Sequence, residues 1–249
     1  MSCPDGLSQW ELKVPSFLEC LGAFLLALPA VTWSAKVLFD LESEVNVAAY
    51  SAELILALAL VIVLHESVHA LVYALGGVGV SAGLGPYYAY IAAKKPLSKN
   101  LFLKSALSPL AVISLSTAVL AKAFPELSAF LLMVFVLNFL GSVGDLILTL
   151  RILPAPADVT IVDAGDLALV CLPPSEARPP PSWWSLMGRF LRAFPLALAV
   201  SAVIGTVLLR FSRVYYETGV GFETRLALGA LEYGLAVALS GVVALLKSG

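Results

Sequence analysis

The chain has 249 residues, of which 60% are hydrophobic and 13% are charged, and its formal net charge is −2. A soluble domain carries about 25% charged residues, so this composition excludes a chain that is surrounded by water on all sides. We therefore expect an integral membrane protein in contact with the lipid bilayer, and no nucleic-acid partner.

Apolar segments long enough to cross a bilayer recur along the chain. A transmembrane helix needs about 20 predominantly apolar residues. Six segments approach or exceed this length: residues 16–35, 52–75, 104–123, 127–150, 193–209 and 226–246. If all six segments cross the membrane, both termini lie on the same side, and the segments on that side contain ten of the fifteen Lys and Arg residues. The positive-inside rule therefore predicts that both termini are cytoplasmic.

Two connecting segments predict small β-hairpins on the cytoplasmic side. Residues 76–103 begin with several glycines and alternate small with apolar residues, which is typical of extended structure. Residues 154–182 contain two short apolar runs on either side of Asp163-Ala164-Gly165-Asp166, followed by a proline run at 179–181 that predicts a linker. The expected fold is thus an all-α membrane bundle of about six helices with small cytoplasmic β-hairpins.

The cysteines give no further constraint at this level. Cys3, Cys20 and Cys171 are odd in number and far apart along the chain. Their spacing indicates neither a metal site nor a disulfide framework.

The second apolar segment contains His65-Glu66-Ser67-Val68-His69, and these are the only two histidines in the chain. On a helix, residues four apart lie on the same face, so the two imidazoles can hold one Zn²⁺. The glutamate beside them can take a proton from water. The spacing therefore predicts a zinc site with hydrolytic chemistry inside the membrane.

A catalytic zinc needs a third protein ligand, and elimination leaves Asp145. No third histidine exists, and residues 67–125 contain neither Asp nor Glu. Asp145 is the only ionisable residue between Glu126 and Arg151. An ionised aspartate at membrane depth needs a partner, which the ion provides.

The predicted depths of the ligands also agree. His69 lies six residues before Leu75, and Asp145 lies six residues before Arg151. At 1.5 Å per residue, both lie roughly 9 Å from the cytoplasmic ends of their helices. Small and polar residues share a helix face with the aspartate, which favours close packing towards the protein interior; they are Asn138, Gly141, Ser142 and Thr149.

A His-Glu-x-x-His motif on a membrane helix, followed two helices later by Asn138 and Asp145, resembles the site-2 protease group of intramembrane zinc metalloproteases. It is most similar to the compact zincin peptidases related to that group, over about residues 52–171. The resemblance implies one zinc per chain on His65, His69 and Asp145, with Glu66 as general base. It also implies that Asn138 positions the substrate or stabilises its oxyanion, although an asparagine there can equally bond helix to helix.

We therefore expect one integral membrane domain over residues 1–249 that hydrolyses peptide bonds in membrane proteins or peptides. Its parts are a catalytic core at about 52–153, a hairpin and linker at about 154–182, and accessory helices at 16–35, 193–209 and 226–246. The glycine-rich loop either holds an extended substrate by strand addition or places its tyrosines at the interface. A metal transporter or sensor, or a non-proteolytic relative that binds membrane segments, remains an alternative. The oligomeric state stays open.

Overall fold

A computed structural model describes residues 3, 7–39, 51–85, 88–165, 167–173, 180–211 and 222–246. The predicted linker at 154–182 and its proline run lie partly outside these residues. The chain divides into two compact units. The first contains residues 1–15 and 27–181, and the second contains residues 16–26 and 182–249.

Long helices dominate the chain, as its apolar composition predicts. They are α1 (Phe17–Phe39), α2 (Ser51–Leu75), α3 (Lys99–Ala123), α4 (Ser128–Ile152), α5 (Trp183–Phe211) and α6 (Phe222–Leu246). A short 3₁₀ turn, Pro125–Leu127, precedes α4.

Four of the six predicted membrane spans have the length and composition of a membrane helix. They are Phe17–Ala35, Ala52–Leu75, Lys99–Ala123 and Pro125–Ile152. The other two predicted spans fall in α5 and α6, where the described residues include only one shorter apolar helix, Tyr233–Ala244. A mostly helical chain with small antiparallel sheets and four helices that could span a membrane is therefore confirmed, whereas six spans remain a prediction.

Helices α2, α3 and α4 pack through small and branched apolar side chains. One buried cluster joins Ala57 and Val61 of α2 to Ile113 of α3 and to Met133 and Val134 of α4. The opposite face of α2 carries long apolar side chains that are exposed among the described residues; for example, Ile55 is 71% exposed and Val63 is 63% exposed. Because such a face is unstable in water, it is suited to contact with lipid.

The strands that the structure describes in the first unit lie at the end where α2 and α4 terminate and α3 begins. They are β1 (Ser8–Lys13), β2 (Val80–Leu84), β3 (Ala89–Ala93), β4 (Leu97–Ser98), β5 (Thr160–Asp163) and β6 (Leu167–Leu172). Strands β2 and β3 form one antiparallel hairpin, and β5 and β6 form part of a second sheet. Both predicted hairpins are therefore present.

The second sheet has four strands, in the order β1-β6-β5-β4. Strand β1, which the sequence analysis did not anticipate, pairs antiparallel with β6, so that Ser8 lies opposite Leu172 and Lys13 opposite Leu167. Its own signal is short: Trp10 and Leu12 are buried, while their neighbours alternate outwards. This period of two is typical of a half-buried strand.

The expectation that the cysteines form no disulfide is wrong. Cys3 and Cys171 are joined by a disulfide with an S–S distance of 1.98 Å, across 168 residues of sequence. The strand pairing explains this bridge, because β1 lies beside β6 and brings the N-terminal segment to Cys171. Sequence spacing alone contains no information on this register.

The second unit is held together by a helix cap and an ion pair. The Glu19 carboxylate accepts a hydrogen bond from the Ser16 N–H at 2.8 Å, and the Ser16 hydroxyl accepts one from the Glu19 N–H at 3.3 Å. This reciprocal arrangement is a capping box at the start of α1. Arg192 of α5 donates to the other oxygen of the Glu19 carboxylate at 2.9 Å, and Phe194 packs edge-on against Tyr233 of α6.

Lys99 should contribute measurably to stability, because its ammonium group caps the end of α4. The Nζ atom donates to the carbonyls of Leu153 at 2.8 Å and Ala155 at 2.5 Å, in a side chain that is only 9% exposed. Lys99→Met would leave both acceptors without this donor, so we expect a loss of about 1–3 kcal/mol of unfolding free energy. Thermal unfolding in detergent measures the effect. The exposed Lys95→Met is the control, and an equal loss in both variants would contradict the capping role.

The disulfide should be detectable in the purified chain. Proteolysis under non-reducing conditions followed by mass spectrometry should yield a peptide pair that joins Cys3 to Cys171. Cys3→Ser should lower the unfolding free energy by about 2–4 kcal/mol, whereas Cys20→Ser leaves the bridge intact and serves as the control. A linked peptide that contained Cys20 would refute this pairing.

Candidate metal centre

Helix α2 presents its two histidines on one face. Because His65 and His69 are separated by four residues, their rings lie one turn apart, with centroids 4.9 Å from each other. His65 is 7% exposed, while Val63 and Leu64 beside it face outwards. The imidazoles therefore point towards α3 and α4.

Helix α4 brings Asp145 to the same place. Its Oδ2 atom lies 3.0 Å from His65 Nε2 and 3.4 Å from His69 Nε2. One ligand atom from each of the three side chains lies within 4.8 Å of the other two. The structure thus brings together the three residues predicted as zinc ligands.

The remaining ring nitrogens contact α3 and α4. His65 Nδ1 lies 3.3 Å from Asn138 Oδ1. His69 Nδ1 lies 3.0 Å from the Ser105 carbonyl oxygen and 3.2 Å from its hydroxyl. Both Nδ1 atoms therefore have oxygen neighbours, and both Nε2 atoms face the carboxylate.

Asn138 is completely buried, and its side-chain amide is fully used by protein partners. The amide nitrogen donates to the Pro109 carbonyl at 3.2 Å and to the Ser114 hydroxyl at 3.3 Å. Since both N–H bonds already have acceptors, neither is directed at an oxyanion in this arrangement. In the structure Asn138 therefore bonds helix to helix, and its role towards a substrate stays a prediction.

Glu66 lies beside the three ligands, and its environment is unusual. Its Oε2 atom is buried and has no hydrogen-bond partner. Its carboxylate interacts with the backbone N–H of Ile91 in β3. A buried acceptor without a donor marks a place where a water molecule, an ion or a substrate group belongs.

The donor set fits zinc. Two imidazole nitrogens and one carboxylate oxygen are a usual ligand set for catalytic zinc, which keeps a fourth position for water. The edge of a tetrahedral zinc site measures roughly 3.3–3.5 Å, and the two nitrogen–oxygen separations of 3.0 and 3.4 Å are close to it. In such sites, the imidazole nitrogen that does not bind the metal typically donates a hydrogen bond to an oxygen atom. His65, His69 and Asp145 can therefore hold the metal that this chemistry requires.

A second polar cluster, not predicted from the sequence, lies one turn further along α2. The Tyr73 hydroxyl donates to Asp163 Oδ2 at 2.9 Å, and the Gly165 N–H donates to Asp163 Oδ1 at 3.0 Å. Burial raises the pKa of Asp163, and hydrogen bonds from Gly165, Tyr73 and the Ala93 N–H offset part of that rise. The cluster connects β5 and β3 to α2. Its signal in the sequence is the four-residue spacing of Tyr73 from His69, which places both side chains on the same face of α2.

The ligand assignment predicts which substitutions remove the metal. The full chain purified in detergent should contain one zinc, and His65→Ala or Asp145→Ala should abolish it, because two ligands hold the ion far less tightly than three. Elemental analysis measures the content. Ser67→Ala is the matched control, since Ser67 lies in the same motif but donates to the Val63 carbonyl on the exposed face. Retention of full zinc by Asp145→Ala would contradict the assignment.

Comparisons with known proteins agree with the chemistry of these residues. Residues 58–160 match the family described as "Putative zincin peptidase". The chain is also 30% identical over 173 residues to the "Uncharacterized 24.7 kDa protein in gap 5'region" of Pyrococcus woesei, an alignment that covers 66% of this chain and 72% of the relative. No solved structure matches the chain significantly. The matched region contains His65, Glu66, His69 and Asp145, and the chain belongs to this zincin-like peptidase family.

Proposed function

We propose that this chain is a zinc-dependent intramembrane endopeptidase that hydrolyses peptide bonds of membrane-associated substrates. The observation that carries the proposal is the convergence of His65, His69 and Asp145 beside Glu66 on two apolar helices. Intramembrane ionisable groups are rare because they are costly, so such a cluster indicates function rather than packing.

The three ligands would hold one zinc ion, and Glu66 would move the proton. A zinc ion in this place supplies Lewis-acid chemistry, which acidifies water and polarises a carbonyl group. Glu66 Oε2 is positioned to accept the proton of the attacking water and to deliver it to the leaving amine. Its burial without a donor leaves this oxygen available for that task.

The site lies within reach of the aqueous phase but below the helix ends. His69 is six residues from the end of α2, which places it roughly 9 Å along the helix axis. The Asp145 side chain is 22% exposed, against 9% and 12% for the two histidines. The carboxylate is therefore the least buried of the three ligands, and we expect water to enter on its side.

We propose that the β2–β3 hairpin binds the substrate backbone. The Lys94 N–H donates to the Gly79 carbonyl at 2.8 Å, so alternate residues of β3 face β2. The Ile91 N–H points to the other edge, where Glu66 lies. A substrate helix must unwind before hydrolysis because its carbonyls are already hydrogen-bonded, and strand addition to this hairpin would hold the extended segment.

A metal transporter or sensor is a weaker alternative. A transport path offers ligands at more than one depth, whereas His65, His69 and Asp145 are the only metal-binding group found among the described residues. We further propose that both termini are cytoplasmic and that α5 and α6 also cross the membrane, which would give six spans, as the positive charges and apolar segments predict.

Glu66→Gln separates an enzyme from a binding protein. The amide cannot accept the proton, so cleavage should fall by about 10²–10⁴-fold while the zinc content stays the same. The assay uses single-span model peptides with a fluorophore and a quencher on either side of an apolar segment, reconstituted with the full chain in liposomes. Glu53→Gln, an exposed position in the first turn of α2, is the matched control.

Cleavage by Glu66→Gln at the wild-type rate would contradict the proposed mechanism. A wild-type chain that binds zinc but cleaves none of the peptides would favour the non-proteolytic alternative.

A further inference from the structure

Pro109 interrupts the hydrogen bonding of α3 opposite the metal centre. Proline has no backbone N–H, so the helical hydrogen bond from residue 109 to the Ser105 carbonyl cannot form. In a membrane helix a carbonyl released in this way needs another donor, because lipid provides none. His69 Nδ1, at 3.0 Å from the Ser105 carbonyl oxygen, is that donor.

This contact fixes the tautomer of His69. A carbonyl oxygen can only accept a hydrogen bond, so Nδ1 carries the proton. The lone pair of the ring then lies on Nε2, which faces Asp145. A helix without Pro109 would offer its own N–H to the same carbonyl and would compete with the imidazole.

The carbonyl of Pro109 has a separate effect on His65. It accepts a hydrogen bond from the Asn138 amide nitrogen at 3.2 Å. Because this carbonyl can only accept, the amide nitrogen must face Pro109, and the amide oxygen must face His65 Nδ1 at 3.3 Å. Nδ1 of His65 therefore carries its proton as well, and its Nε2 is left for the metal.

We propose that Pro109 is a positioning residue that sets the tautomers of both metal-binding imidazoles. Its missing N–H leaves the Ser105 carbonyl to His69, and its own carbonyl orients Asn138 towards His65. The inference rests on the proposed metal centre. Asn138 then acts through His65 and not directly on the substrate.

If Pro109 had only a structural role, zinc affinity would not fall in a variant that is as stable as the wild type. Alanine is strongly favoured over proline inside a helix. Pro109→Ala should therefore leave the thermal stability of the zinc-free chain unchanged or raise it. Weaker zinc binding by a protein of equal or greater stability is an outcome that a merely structural role does not produce.

The first experiment measures zinc affinity of the full chain in detergent by competition with a chelator, together with thermal unfolding of the zinc-free protein. We expect Pro109→Ala to bind zinc about 10-fold more weakly, which is the usual size of the effect when the partner of a ligand imidazole is lost. Pro29→Ala, which replaces an exposed proline within α1, is the matched control and should bind zinc with wild-type affinity.

The second experiment distinguishes the role of the Asn138 amide oxygen from that of its amide nitrogen. Asn138→Leu removes the oxygen that accepts from His65 and should weaken zinc binding by about 10–100-fold. Asn138→Asp keeps an acceptor there and should retain wild-type or tighter affinity. Ser114→Ala removes only a partner of the amide nitrogen and should leave affinity unchanged. The visible spectrum of the Co²⁺-substituted chain should shift in Pro109→Ala and Asn138→Leu but not in Ser114→Ala.

The outcomes distinguish this inference from the proposed function. Unchanged zinc affinity and cobalt spectrum in Pro109→Ala would overturn the inference for His69, and the same result in Asn138→Leu would overturn it for His65. Either result would leave the metal centre in place. A wild-type chain that binds no zinc would overturn the metal centre and the inference with it. Loss of cleavage by Asn138→Leu without any change in zinc affinity would assign Asn138 to the substrate and also overturn the inference.

Discussion

The charge on Asp145 sets the main constraint on the structure. A carboxylate among apolar helices is unfavourable unless a positive charge lies beside it, because the surroundings cannot solvate it. Two imidazoles approach this carboxylate at 3.0 and 3.4 Å. A divalent ion among the three would neutralise the carboxylate, and helices α2 and α4 would then be joined through a site that each of them alone could not stabilise.

The surroundings of the site are mostly backbone and amide groups. The Ser105 carbonyl and the Asn138 amide contact the histidines, and the Asp163 carboxylate binds Tyr73 one turn further along α2. The Ser105 carbonyl and the Asn138 amide are hydrogen-bond partners that add no charge beside the two imidazoles. Asp163 connects the four-stranded sheet to this region, and Ile91 connects the β2–β3 hairpin to it, so the strands at the helix ends and the apolar helices share one polar network.

The sequence was sufficient to predict the ligand cluster but not its supporting contacts. His65, His69 and Asp145 could be found because ionisable residues in apolar segments are few and elimination left one candidate. Both hairpins followed from turn residues and alternation. Strand β1 and the disulfide of Cys3 depend on a pairing partner about 160 residues away, and no local pattern encodes that distance. The role of Asn138 likewise depends on which carbonyl the packing of α3 places beside it.

The central claim is that two imidazoles and one carboxylate bind a single zinc ion. X-ray absorption spectroscopy at the zinc edge of the purified full chain tests it most directly. The account predicts only nitrogen and oxygen neighbours at about 2.0–2.2 Å, with the outer-shell scattering of two imidazole rings. A sulfur neighbour at about 2.3 Å, or a shell without the scattering of two imidazoles, would contradict it.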